Sequence, residues 1–220
     1  MGHHRHIIDR TGGRRLCLYS REPRTYRHYD GLPTVESASP HLRLHPLTGE
    51  WIGVAAARQG RTFLPNQAEC PFCVMRDGGP MTDIPVDDYE VAIFTNRFAA
   101  LSALPDMPPE LGIATAPGHG ICEVISYSAT HDASFATIGV ERIGLLIEAI
   151  GAEVVDLLAV DGIQYVLPFE NRGREIGVTI DHPHGQIYAL PHIPLEIERQ
   201  ANAFRYGNPL LDSMAGMAEQ

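Results

Sequence analysis

Asp181 to Pro194 reads DHPHGQIYALPHIP. Alternate side chains of a strand share a face, so an extended chain here points His182, His184, Gln186 and Tyr188 one way. Pro183 has no N–H to give to a ladder, which places the stretch at a strand start or on an edge, within reach of a ligand. A neutral imidazole attacks phosphorus well when its other nitrogen donates a hydrogen bond that fixes the tautomer. Such chemistry also needs amide donors for the phosphoryl oxygens that gain charge, and Gln186 is a neutral one. A histidine at that position could shuttle protons and assist water. Glutamine cannot, so Gln186 favours a covalent intermediate that waits for a second substrate. The plainer alternative is a pair of histidines satisfying hydrogen bonds at a strand edge.

The surrounding chain reads as short strands and one long helix. Leu42 to Ala55, LRLHPLTGEWIGVA, suggests two strand pieces about a Pro-Leu-Thr-Gly turn. AECPFCVMRDGG is a knuckle-like loop, and YEVAIF, GICEVISYS, IQYVLPF and GQIYAL read as strands. Between Thr137 and Val160, Ile143, Leu146, Ile147, Ile150, Val154 and Leu158 recur at spacings of three and four, which predicts an amphipathic helix. A last helix is expected from about Pro194, whose fixed φ suits a first turn. Hairpin-joined strands without alternating βα units indicate an α+β fold about an antiparallel sheet.

The 220 residues suffice for a single core, and no apolar run approaches the length of a membrane span. The start, MGHHRHIIDRTGG, lacks the apolar region of a secretory signal, so a cytoplasmic location is expected. A net charge of −10 argues against nucleic acid as a partner. That charge is uneven, with seven arginines against Asp9, Glu22 and Asp30 in the first thirty residues. Residues 1–38 are therefore expected to form a basic, partly disordered arm ahead of a domain over 39–220. Every basic residue is Arg, so any phosphate held by a cationic side chain is held by a guanidinium fork.

Cys17, Cys70, Cys73 and Cys122 are too few and too unevenly spaced for a disulfide framework. Cys70-Pro-Phe-Cys73 has the spacing at which two thiolates share one zinc ion, which needs two further ligands. A redox Cys-x-x-Cys is the rival, without the strand-to-helix setting of a thioredoxin site.

His182-Pro-His184-Gly-Gln186 closely resembles the active-site motif of the histidine triad superfamily in its nucleotidyltransferase branch. From Leu42 onward the chain resembles the first half of the galactose-1-phosphate uridylyltransferase family. The resemblance implies a HIT-like antiparallel sheet with flanking helices. It implies that His184 takes UMP from UDP-glucose, Gln186 holds the uridylyl phosphate, and a hexose 1-phosphate such as galactose 1-phosphate accepts the group in a ping-pong reaction. It completes a structural zinc site with His131 of SATH and His182. Arg58 and Arg61 of ARQGR match the family's Arg pair, a phosphate clamp reaching across from the neighbouring subunit. FTNRF matches the family's uridine-binding FTNDF, so Phe94, Asn96 and Phe98 carry over, with Arg97 in place of the aspartate; Phe72 of the knuckle joins them. FENRGREIGVT, Phe169 to Thr179, matches the family's FENKG stretch and assigns Asn171, Gly177 and Thr179 to the phosphate side. Taken singly, each of these stretches also reads as a solvated Arg pair, a loop or a turn.

The family carries a second, related half, and this chain matches the first. The hexose contacts and most ligands of the family's second metal site, an iron site, belong to that other half. Gln200 stands where the first half would supply that site's glutamate, so the iron site is expected to be absent. A uridylyltransferase subunit that works with a separate C-terminal-half chain, a homodimeric partner, or both is the leading expectation. The alternatives are a stand-alone nucleotide hydrolase or phosphorylase, and a non-catalytic zinc-stabilised nucleotide-binding module.

Overall fold

The computed structural model describes residues 2–31, 33, 40–56, 64–205 and 207–218. Among the described residues nine strands form two antiparallel sheets: β1 (His4–Arg10), β2 (Arg14–Ser20), β3 (His41–Leu44), β4 (Trp51–Val54), β5 (Val91–Thr95), β6 (Thr115–Pro117), β7 (Ile121–Ser126), β8 (Tyr165–Phe169) and β9 (His184–Leu190). The larger sheet runs β1-β2-β5-β7-β9-β8 and the smaller β4-β3-β6. Helices α1 (Val140–Leu158), α2 (Leu195–Phe204) and α3 (Pro209–Ala218) complete the α+β fold. Among the described residues no helix is long and apolar enough to cross a membrane.

The large sheet is buried on both faces, which is why its central strands are apolar at successive positions. On one face Cys17, Tyr19, Ile93, Ile125 and Ile187 pack against Leu145, Leu146, Ala149 and Leu157 of α1. On the other, Leu16, Leu18, Phe94 and Val124 pack under Cys70, Phe72, Ile84 and Tyr89. A loop, not a helix, covers the second face, and β9 presents His184 and Gln186 to it through their pairing with Ser126 and Val124.

Two expectations are corrected. First, part of the supposed arm is a structured hairpin: β1 and β2 pair from His4↔Ser20 to Arg10↔Arg14, and β2 pairs β5. Its arginines find distant carboxylates. Arg5 and Arg15 both bind Glu153, Arg14 binds Asp83 at 3.1 Å and Arg21 binds Glu148 at 2.8 Å. Charges that look excessive in a local window are matched in space, and Leu16 to Tyr19 are fully buried. Second, the buried stripe of α1 is rotated from the predicted one. Leu145, Leu146, Ala149, Glu153 and Leu157 face inward, whereas Ile147 and Leu158 are 64% and 48% exposed. The buried Glu153 sets that phase, because its carboxylate accepts from Tyr19 Oη at 2.7 Å as well as from the two arginines.

The other elements lie where the pattern put them. Residues after Pro194 form two short helices rather than one, with Gly207 at φ 156° between them. Pro168 is tolerated because β8 is an edge. Pro183 precedes β9, which lies between β7 and β8, so the motif occupies a strand start and not an edge.

Gly185 is required where the His-Pro-His-Gly-Gln motif enters the sheet: a Cβ there would lie 2.5 Å from Tyr127 Oη and 2.9 Å from the Phe169 carbonyl. Gly185→Ala is expected to cost about 1–3 kcal/mol through overpacking, read as a lower urea midpoint at unchanged slope.

Candidate active site and metal centre

Cys70, Cys73, His131 and His182 converge, with their ligand atoms all within 4.8 Å of one another. The Cys73 sulfur lies 3.4 Å from His131 Nδ1 and 3.6 Å from His182 Nδ1, and the Cys70 sulfur 3.7 Å from His182 Nδ1. Bonds of ~2.3 Å to sulfur and ~2.0–2.1 Å to nitrogen at a tetrahedral angle place sulfur and nitrogen about 3.6 Å apart. The four residues therefore fit a tetrahedral ion with two thiolate and two imidazole ligands. Hydrogen bonding from the Cys73 thiol holds the Cys70 thiol below the usual range, toward the thiolate a metal needs.

His182 is fully buried and its two ring nitrogens are assigned by their surroundings. Nε2 lies 2.8 Å from the Ser128 carbonyl, which can only accept, so Nε2 carries the hydrogen and the Nδ1 lone pair faces the cysteines. The Tyr89 hydroxyl stands 3.2 Å from the same Nε2 and within 2.9 Å of the Phe72 carbonyl, tying the knuckle to the end of β7. Neither Tyr89 nor Ser128 has a local sequence signal for this role. Tyr89 reads as one more apolar-strand residue and Ser128 acts through its backbone.

The backbone of His182 also orients its neighbour. His184 Nδ1 lies 2.7 Å from the His182 carbonyl, so Nδ1 donates and the neutral ring keeps its Nε2 lone pair. Burial holds the His184 imidazole below its ordinary pKa, which favours that neutral form. The ring packs edge-on against Phe72, with centroids 5.0 Å apart.

His184 opens onto a narrow pocket that brings together Phe72, Phe94, Asn96, Arg97, Phe98 and Gln186, with Thr179 at its rim. Gln186 Oε1 lies 3.5 Å from Asn96 Nδ2 and 3.4 Å from the Tyr188 hydroxyl. Both partners are donors, which leaves the Gln186 NH2 to donate to a bound group. Arg97 faces the buried carboxylate of Asp83 at 3.6 Å and stacks on the Phe98 ring at 5.0 Å. Asp83 also lines this pocket and was not expected from its sequence setting. Asn171 lies in an adjoining groove that reaches His182 and His184, whereas the exposed Gly177, at φ 79°, lines neither. Arg58 and Arg61 fall outside the described residues.

The family described as galactose-1-phosphate uridyl transferase, N-terminal domain, matches residues 32–194. The chain is 38% identical over 169 residues to a galactose-1-phosphate uridylyltransferase of Thermotoga maritima, covering 74% of this chain and 51% of that protein. It is 36% identical over 181 residues to one of Streptomyces lividans, covering 81% and 46%. An ADP-glucose phosphorylase of Arabidopsis thaliana is 28% identical over 180 residues. A solved uridylyltransferase structure superposes with a TM-score of 0.61 at 28% identity, over 74% of this chain and 50% of that one. The chain thus spans about half the length of the relatives it matches, and the hairpin His4–Ser20 lies outside the matched region. On these matches, the chain belongs to the galactose-1-phosphate uridyl transferase family and corresponds to its N-terminal domain.

Proposed function

We propose that this chain is the nucleotide-handling half of a uridylyltransferase that moves UMP from UDP-glucose to galactose 1-phosphate through a uridylyl-His184 intermediate. The observation that carries the reading is the tautomer of His184, whose Nε2 lone pair is kept available at the mouth of a pocket. Nε2 attacks the α-phosphorus, the bond from that phosphorus to the bridging oxygen breaks, and glucose 1-phosphate leaves with the electron pair. A phosphate oxygen of the hexose 1-phosphate then attacks the same phosphorus and returns the electron pair to Nε2. Gln186 donates to the phosphoryl oxygens without offering a base for water, which favours transfer over hydrolysis.

Phe72, Phe94 and Phe98 offer aromatic and apolar surface for the nucleoside, and Arg97 a cation beside it. Asn171, Thr179 and the backbone at Gly177 are assigned to the phosphate side, together with Arg58 and Arg61 from a neighbouring subunit. The hexose contacts are assigned to a separate C-terminal-half chain. The Arabidopsis relative named as a phosphorylase supports one variant of this reading, in which inorganic phosphate is the acceptor.

We assign zinc to the four-residue centre, on the softness of two thiolates and the tetrahedral spacing of the donors. A zinc ion there serves structure, since its four positions are taken by protein and none remains for substrate. Metal analysis of the purified chain is expected to find one zinc per chain, lost in Cys73→Ser. Loss of the ion is expected to lower the variant's melting midpoint, by roughly 2–4 °C for each kcal/mol the ion contributes.

The reaction is tested by mixing the chain with UDP-glucose and recording an intact mass at once. A gain of one uridylyl group is expected, and turnover in His184→Ala falls on the order of 10⁴-fold or more. Discharge of the adduct by inorganic phosphate instead of galactose 1-phosphate would favour the phosphorylase variant. Nucleotide binding with no adduct, with and without the second half present, would leave only a binding module.

A further inference from the structure

Glu123 and Val124 are successive residues of β7, so they point to opposite faces of the large sheet. Val124 shares the His184 face; Glu123 shares the α1 face. There the β1–β2 turn, the segment 99–104 and the end of α1 enclose a cleft of about 780 Å³, within the size range of small-molecule sites. One wall comes from the hairpin that lies outside the family match. Apolar walls come from Leu101, Ile121, Leu157 and Val160.

The charges behind the cleft do not balance. Arg5 reaches Glu153 at 3.1 Å and Asp156 at 2.6 Å, and Arg15 bridges Glu123 at 2.9 Å to Glu153. Two guanidinium groups therefore serve three carboxylates. Arg14, the other cation lining the cleft, is engaged by Asp83 and by the Pro33 carbonyl. The shortfall falls on Glu123. The residue is 2% exposed, one of its oxygens accepts from Arg15, and its Oε2 is buried with no hydrogen-bond partner among the described residues. A buried carboxylate oxygen without a donor is costly, and a ligand that supplies the donor relieves that cost.

We propose that this cleft is a second ligand site, which binds a small organic cation with its amine or guanidinium head on Glu123 and its apolar body against Leu101, Ile121, Leu157 and Val160. A cation makes the count three against three and satisfies the orphaned oxygen in one contact. An anion is disfavoured, because Arg15 is already bridged and the unmet atom is an acceptor. Burial, and after it Glu153, pushes the Glu123 carboxyl up to about 7, as expected of a carboxylate short of one counter-charge. Glu123, the proposed contact for the ligand's head group, lies on the face of the sheet opposite His184.

The test is calorimetric titration of the full chain with phenethylamine, phenethyl alcohol and phenylacetate, three probes that share a body and differ in head group. The amine is expected to bind saturably, one per chain, with the alcohol and the acid weaker by at least about tenfold. Glu123→Gln, which keeps the shape and an acceptor for Arg15, is expected to lower amine affinity by a similar factor. Ala103→Arg, an exposed change at the rim that brings the missing charge from the chain itself, is expected to lower it too. Absence of saturable amine binding, equal affinity for the three probes, or unchanged affinity in Glu123→Gln overturns the proposal. Adduct formation at His184 is read in the same samples. It is expected to be unchanged in Glu123→Gln, so failure of either proposal is distinguishable from failure of the other.

Discussion

The geometry of the site turns on His182. Its Nε2–H is held by the Ser128 carbonyl, its Nδ1 faces the two cysteines, and its own carbonyl accepts a hydrogen bond from His184 Nδ1. One buried residue thereby links the knuckle, the end of β7 and His184. The proline between the two histidines helps fix the backbone that makes this possible, because its φ is set in advance. Rotation of the His182 ring would disturb the metal ligands, and a shift of its backbone would release the tautomer of His184. This is how a structural metal site bears on chemistry that its ion does not touch.

The sheet separates two sets of demands. The His184 face is covered by loops, as the proposed nucleotide exchange would need, while α1 and the hairpin cover much of the other face with apolar packing and ion pairs. Glu153 is the fixed point on that side: fully buried, it accepts from Tyr19, Arg5 and Arg15. Removing one partner from such a group leaves an unpaired buried charge, so the hairpin and α1 depend on each other. Arg14 extends from the same hairpin to Asp83, which lines the nucleotide pocket and faces Arg97. The N-terminal segment therefore contributes to the walls of both cavities.

Much of the architecture was legible where the physics is local. Short apolar runs marked β5, β7, β8 and β9, and the spacing from Ile143 to Leu158 marked α1. The Cys-x-x-Cys knuckle and the His-Pro-His-Gly-Gln motif could be singled out by residue type and spacing, and the fold brings them together. What could not be read depends on pairing across the fold. The arginines of residues 1–30 look like a solvated arm until Glu153, Glu123, Asp83 and Glu148 are placed beside them. The inward phase of α1 follows from a glutamate that any hydropathy pattern would turn to solvent. Tyr89, Ser128 and Asp83 act through contacts with residues at least 14 positions away in sequence or through backbone atoms, and neither leaves a local trace.

The coupling of His182 to His184 is tested most directly by the ring nitrogens themselves. With ¹⁵N-labelled histidine in the metal-loaded chain, long-range nitrogen–proton correlation spectra report which nitrogen of each ring carries hydrogen. The account predicts His184 protonated at Nδ1 with a bare Nε2, and His182 protonated at Nε2 with Nδ1 on the metal. A His184 ring protonated at Nε2, or averaged between the two tautomers, would contradict it.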